Sequence, residues 1–140
     1  MSKPPPPRVR FAGSQKVPGA PNKIAVRLEV HSKTYQGVAE DEATPEGELR
    51  AAARATLEAL VQAIRARNPN SDLRFELREI GPFDAFGREG VMVTIMAEWE
   101  TQSRPLLGFT PGGSDPVRSA SLAVLNATNR FVALGPTKSQ

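Results

Sequence analysis

The sequence predicts an α+β fold of two ββα-type units, with an antiparallel sheet of about five strands and two helices packed on one face. Three observations carry this. Apolar residues recur at every second position in several short segments and at every third or fourth in two longer ones. Each longer segment opens on a Thr-Pro or Asp-Pro pair, a helix-start signal. The chain has 140 residues, 39% hydrophobic and 24% charged, which is one domain with a core of its own.

Residues 1–22 are expected to form a disordered, basic, Pro-rich tail. Pro4 to Pro7, Pro18 and Pro21 supply six of the thirteen prolines, and Phe11 is the only aromatic. Such a segment buries too little apolar surface to offset its chain entropy. It offers a polyproline stretch through which a protein partner could dock. The folded domain is expected over 23–135, with 136–140 a frayed end.

Ile24, Val26, Leu28 and Val30 alternate with Ala25, Arg27 and Glu29, which predicts a strand with one buried face. His31 and Ser32 make a turn, and residues 34–39 return as the second strand of a hairpin. Thr44 and Pro45 start the first helix, where Glu46 and Glu48 suit the positive end of its dipole. Leu49, Ala53, Leu57, Leu60, Val61 and Ile64 form its apolar stripe, and Arg50, Arg54, Glu58, Gln62 and Arg65 a solvated face. Asn68 and Pro69 end it. Leu73, Phe75 and Leu77 mark a third strand, and residues 81–90 a glycine-bounded loop carrying Phe83 and Phe86. The longest strand runs over 91–99, with Val91, Val93, Ile95, Ala97 and Trp99 on one face and Met92, Thr94, Met96 and Glu98 on the other. Residues 106–110 form the fifth strand. Asp115 caps the second helix, Pro116 is its first residue, and Val117, Ala120, Val124, Ala127 and Phe131 line its apolar side; Gly135 and Pro136 stop it.

Composition excludes several chemistries. There is no cysteine, hence no disulfide and no thiolate zinc site, and a single histidine rules out a multi-histidine metal centre. No apolar run approaches the roughly 20 residues that span a bilayer, and the start of the chain has no secretory pattern. A cytoplasmic location is the expectation. The net charge is +3. Residues 1–23 carry five basic residues and no acid, while 24–140 carry thirteen basic and fifteen acidic, a net −2. A domain that grips phosphate backbones carries its positive charge on its own surface, so nucleic acid is not the expected partner.

Residues 112–115, Gly-Gly-Ser-Asp before a helix, look like an anion cradle, but Asp115 puts a negative charge where a phosphate would sit. The reading is a helix cap able to receive an ammonium group. Asp41, Glu42, Glu46 and Glu48 cluster at the first helix start without the spacing of a calcium loop. No serine has a neighbouring base. The chain is therefore read as non-catalytic, without cofactor or metal.

The segment from Gly108 to Arg130, with Ser114-Asp115-Pro116-Val117 followed by an alanine-serine helix closing on Leu125-Asn126-Ala127-Thr128-Asn129-Arg130, resembles the last helix of the regulatory, dimer-forming domain of alpha-isopropylmalate synthases. The first hairpin with Gly37, the alanine-rich first helix and the hairpin over 91–109 also fit that domain. The resemblance implies two ββα-type units related by a pseudo-twofold, a homodimer, and an effector amino acid held by the loops preceding the helices. The matching positions are Gly112, Gly113, Ser114, Asp115 and Pro116. The 140 residues hold no catalytic barrel, so no condensation chemistry carries over, and residues 39–45 depart from the glycine-rich turn of the family's first unit.

The function expected is a self-associating regulatory or binding module with a small amino-acid-like effector. Asp115 would take the ligand ammonium, and the amides of 112–114 its carboxylate. Met92, Thr94 and Met96, on the strand face turned from the helices, are the expected homodimer contact. Two rivals stay open. One is an RNA-binding module, since helix one to helix two runs α-β-β-β-α, as in double-stranded-RNA-binding domains. The other is a structural assembly subunit.

Overall fold

The computed structural model describes residues 9–134. The Pro4–Pro7 run and the expected helix stop at Gly135 and Pro136 lie outside the described residues. Within them the order is β1 (Arg10–Val17), β2 (Ala20–Val30), β3 (Lys33–Glu40), α1 (Pro45–Arg67), β4 (Arg74–Ala85), β5 (Arg88–Trp99), β6 (Gln102–Pro111) and α2 (Pro116–Leu134). The chain is α+β, built as two successive βββα units.

The single five-stranded sheet does not form. Two antiparallel three-stranded sheets form instead, in the orders β1-β2-β3 and β4-β5-β6. The outer edges of β3 and β6 explain this, because helix side chains occupy them. Val38 N donates to Glu58 Oε1 (3.3 Å) and Gln62 Nε2 donates to the Gln36 carbonyl (2.8 Å). Phe109 N donates to Asn126 Oδ1 (2.9 Å). A strand cannot pair where its neighbour's backbone groups are already satisfied. Glu58 and Gln62 thus do more than face solvent.

The extra strand is β1. Residues 9–22 do not belong to a disordered tail: β1 pairs with β2 from Arg10↔Glu29 to Val17↔Ala20, and Val9 is buried. Pro18 and Gly19 form the connecting turn, with Gly19 at φ +81°. Proline followed by a left-handed glycine is a type II turn signature. Residues 81–90 are likewise no loop. β4 and β5 pair as far as Ala85↔Arg88, with Phe86 and Gly87 as a two-residue turn at φ +56° and +73°.

Each helix packs on the inner face of its own sheet and reaches the first strand of the other, α1 meeting β4 and α2 meeting β1. The helix pair is therefore the shared core. α1 buries Ala51, Ala52, Ala55, Thr56, Ala59 and Ala63 besides its leucines, so it is enclosed well beyond one stripe. Small residues let the layers close. A Cβ on Gly37 of β3 would run into the Ala55 carbonyl, and one on Gly108 of β6 into the Ala123 carbonyl. Where the helices cross, the fully buried Thr56 and Ser121 hydroxyls share a hydrogen bond (2.9 Å), and Thr56 also donates to the Ala52 carbonyl (2.7 Å).

Candidate functional site

The starts of both helices open onto one cleft of about 650 Å³, within the size range of small-molecule sites. Unit one contributes Lys16 from β1, Pro21, Asn22 and Ile24 from β2, the connection 42–44, and Pro45, Glu46, Glu48 and Leu49 from α1. Unit two contributes Pro82, Val91, Gly112, Gly113, Pro116 and Ser119.

Asp41 positions the unit-one wall. Its backbone N–H donates to the Asn22 carbonyl (3.2 Å). Arg50 donates from Nε to Oδ2 (3.2 Å) and from Nη2 to Oδ1 (3.0 Å), Glu42 N donates to Oδ1 (2.7 Å), and Arg54 binds Oδ2 as well as the Glu40 carbonyl. The Arg50 guanidinium holds the Asp41 carboxyl well below the usual carboxylate range against the opposing effect of burial, with Glu42 N and Arg54 adding to it. Asp41 in turn raises Arg50. Thr44 Oγ1 accepts from Gly47 N (2.9 Å), the N-cap expected from the sequence. Asp41 is thus a clamp rather than one member of a solvated cluster.

Glu42, Glu46 and Glu48 line the cleft; Lys16 Nζ lies 3.4 Å from Glu48 Oε2 and Arg50 Nη2 lies 3.8 Å from Glu42 Oε2, so among the described residues Glu46 is the cleft carboxylate with no cation within 4 Å. A carboxylate left over at Glu46, beside a wall of Ile24, Leu49, Pro82 and Val91, suits a ligand that brings an ammonium group and an apolar body.

Of the loop expected to hold the ligand, Gly112, Gly113 and Pro116 line the cleft. Ser114 and Asp115 are not among its walls. Asp115 Oδ1 accepts from Arg118 N (3.1 Å), and its carbonyl from Ser119 N (3.0 Å), so its carboxylate is a helix cap. The Gly112 amide donates to the Glu89 carbonyl (2.9 Å). Gly113 is different: it is exposed, and a Cβ there would meet nothing within 4 Å. Lys16 and Pro21 were hidden from sequence reasoning by the tail assignment, although the Pro18-Gly19 turn was a usable signal.

Met92, Thr94 and Met96 lie half-buried on the outer face of the second sheet. At the start of α2, Arg118 lies over the Phe11 ring, 5.9 Å from its centroid. Among the described residues no group of three His, Cys, Asp or Glu side chains could hold a metal ion, and no helix is long and apolar enough to cross a membrane. No family model matches the chain, and no curated protein matches it.

Proposed function

We propose that this chain is a non-catalytic, self-associating regulatory or binding module whose cleft takes a small amino-acid-like ligand. The observation that carries the reading is the cleft itself, shared by the two helix starts and supplied with unequal charge over an apolar wall. The ligand ammonium meets Glu46. Its carboxylate meets Lys16 and the exposed Gly113, and its side chain lies on Ile24, Leu49 and Val91. Asp115 is a positioning residue for the Gly112–Gly113 turn. The likeness of residues 108–130 to the regulatory domain of alpha-isopropylmalate synthases supports the same class of ligand.

Calorimetric titration with the twenty amino acids tests this. Heat is expected from apolar L-amino acids, and Glu46→Gln combined with Lys16→Met should abolish it. No heat from any of them down to millimolar affinity overturns the ligand reading. The order α1-β4-β5-β6-α2 keeps RNA binding as the rival, although Arg118 is engaged with Phe11. A gel shift with duplex RNA should use a chain lacking residues 1–8 only, because 9–22 belong to the fold. Binding that survives that deletion favours the rival.

A further inference from the structure

We infer that the groove between β3 and β4 is the docking site for an extended acidic segment of another protein, which adds to the free edge of β4 as a further strand. The groove has a volume of about 630 Å³ and shares no lining residue with the cleft at the helix starts. Its floor is Leu57 and Val61 of α1, with Ala39 on the β3 side and Phe75 and Leu77 on the β4 side. The two sides differ. The β3 edge is closed, because Glu58 accepts from Val38 N and Gln62 donates to the Gln36 carbonyl. β4 pairs with β5 alone, and among the described residues no helix side chain bonds to the backbone of residues 74–77. The outward N–H and C=O groups of such an edge pair with an extended segment laid beside it. β1 and β4 both open on Arg-Phe, at Arg10-Phe11 and Arg74-Phe75. At β1 an arginine of α2, Arg118, covers Phe11. At β4 Phe75 is left as a wall of the groove.

Charge selects the occupant. Of the charged side chains that line the groove, Arg54 is held by Asp41, Glu58 by the Val38 N–H, and Glu76 by Arg78 (2.9 Å). Arg65 and Arg74 line it too, both are exposed, and among the described residues neither has a carboxylate within 4 Å. They lie at the same end, because only residues 68–73 separate the end of α1 from the start of β4. A strand laid on residues 74–77 turns alternate side chains toward Leu57 and Val61 and brings an acidic side chain to these two guanidiniums, whose forked donors match a carboxylate. This chain does not supply such a segment. Residues 1–8 and 135–140, outside the described residues, contain no Asp or Glu. Neither does Arg10–Val17, its other first strand. The segment therefore comes from a different protein.

Selection of a random nine-residue peptide display library on the full chain tests the assignment. Enriched peptides should alternate apolar residues and carry Asp or Glu near one end. A synthetic peptide of the enriched sequence should shift the amide resonances of residues 74–77 and slow their hydrogen exchange, leaving Glu46 and Gly113 fixed. Arg65→Glu with Arg74→Glu should weaken that peptide at least about tenfold, with far-ultraviolet dichroism and Trp99 fluorescence unchanged. The same variant should bind the peptide whose acidic residue is replaced by lysine, and that gain shows that the variant is folded. Enrichment of no peptide, affinity that the double variant keeps, or shifts that leave residues 74–77 unmoved would overturn the proposal.

Discussion

The two βββα units agree inside and differ outside. Each places a glycine of its third strand, Gly37 or Gly108, against a helix through which no Cβ could pass. Each captures the next residue's backbone N–H with a helix side chain, Glu58 or Asn126. Each starts its helix with a capped proline, at Thr44-Pro45 and Asp115-Pro116. Outside, the first sheet carries charge: Arg10 pairs with Glu29 (3.7 Å) and Lys23 with Glu40 (4.0 Å). The second carries its charge on β4, where Arg78 pairs with Glu76 (2.9 Å), and Met92, Met96, Leu107 and Phe109 across β5 and β6. The loops before the helices differ too. Asp41 clamps one through two arginines, whereas the other is held by the Gly112 amide on the Glu89 carbonyl and by the Asp115 cap. The shared features are those that close sheet onto helix. The unshared ones lie at the cleft and the outer face of the sheet, the cleft being where the proposed ligand would be recognised.

Breaking a shared feature should hurt both units alike. Gly37→Ala and Gly108→Ala each force a methyl into helix backbone and should each destabilise by about 3 kcal/mol or more. Denaturant unfolding followed by Trp99 fluorescence reads this, since Trp99 packs on Phe131 with ring centroids 5.3 Å apart. A large loss at one glycine and a small one at the other would deny the equivalence. Thr56→Val or Ser121→Ala leaves a buried hydroxyl of the helix crossing short of its partner, an expected loss of about 1–3 kcal/mol. The double variant should lose less than the sum, because the hydroxyls act on each other.

Asp41 sharpens the difference between the loops. Its carboxyl titrates below its unfolded value of about 4, so its contribution is fully present above that pH and is lost as pH falls through the folded value. Asp41→Asn should cost about 1–2 kcal/mol near pH 7, a figure discounted because the Arg50 and Arg54 side chains are 37% and 42% exposed. The gap to the parent should narrow as pH drops below about 4. A gap independent of pH from 7 to 2 would exclude the clamp. The smallest effect is at the hairpin tip. Phe86→Asn, better suited to φ +56°, should stabilise the fold by a few tenths to about 1 kcal/mol. A loss of stability would show that Phe86 serves the folded unit.

Both helices, their caps and five of the six strands were legible in period and punctuation. Thr44-Pro45, Asp115-Pro116 and the alternation through Ile24 and Val93 act over a few residues, and local rules read them. β1 was missed because its apolar residues are few and prolines surround it; β2 supplies its pairing, and only the Pro18-Gly19 turn announces it. The division into two sheets was illegible for another reason. It depends on Glu58, Gln62 and Asn126 reaching strand edges 17 to 26 residues away, and such residues read on a helix as a solvated face. At the cleft, the glycines before α2 were legible as a loop. The capping of Asp115 limits it to a structural role, and Lys16 is brought in from a distant strand.

The central claim is that one ligand is held by both units at once. Amide resonances recorded while an apolar L-amino acid such as leucine is titrated to millimolar concentration test it most directly. The account predicts that Lys16, Glu42 and Glu46 of unit one shift together with Gly112 and Gly113 of unit two along a single saturating curve, while Gln36 and Arg78 stay fixed. Shifts confined to one unit, or none with any of the twenty amino acids, would contradict it.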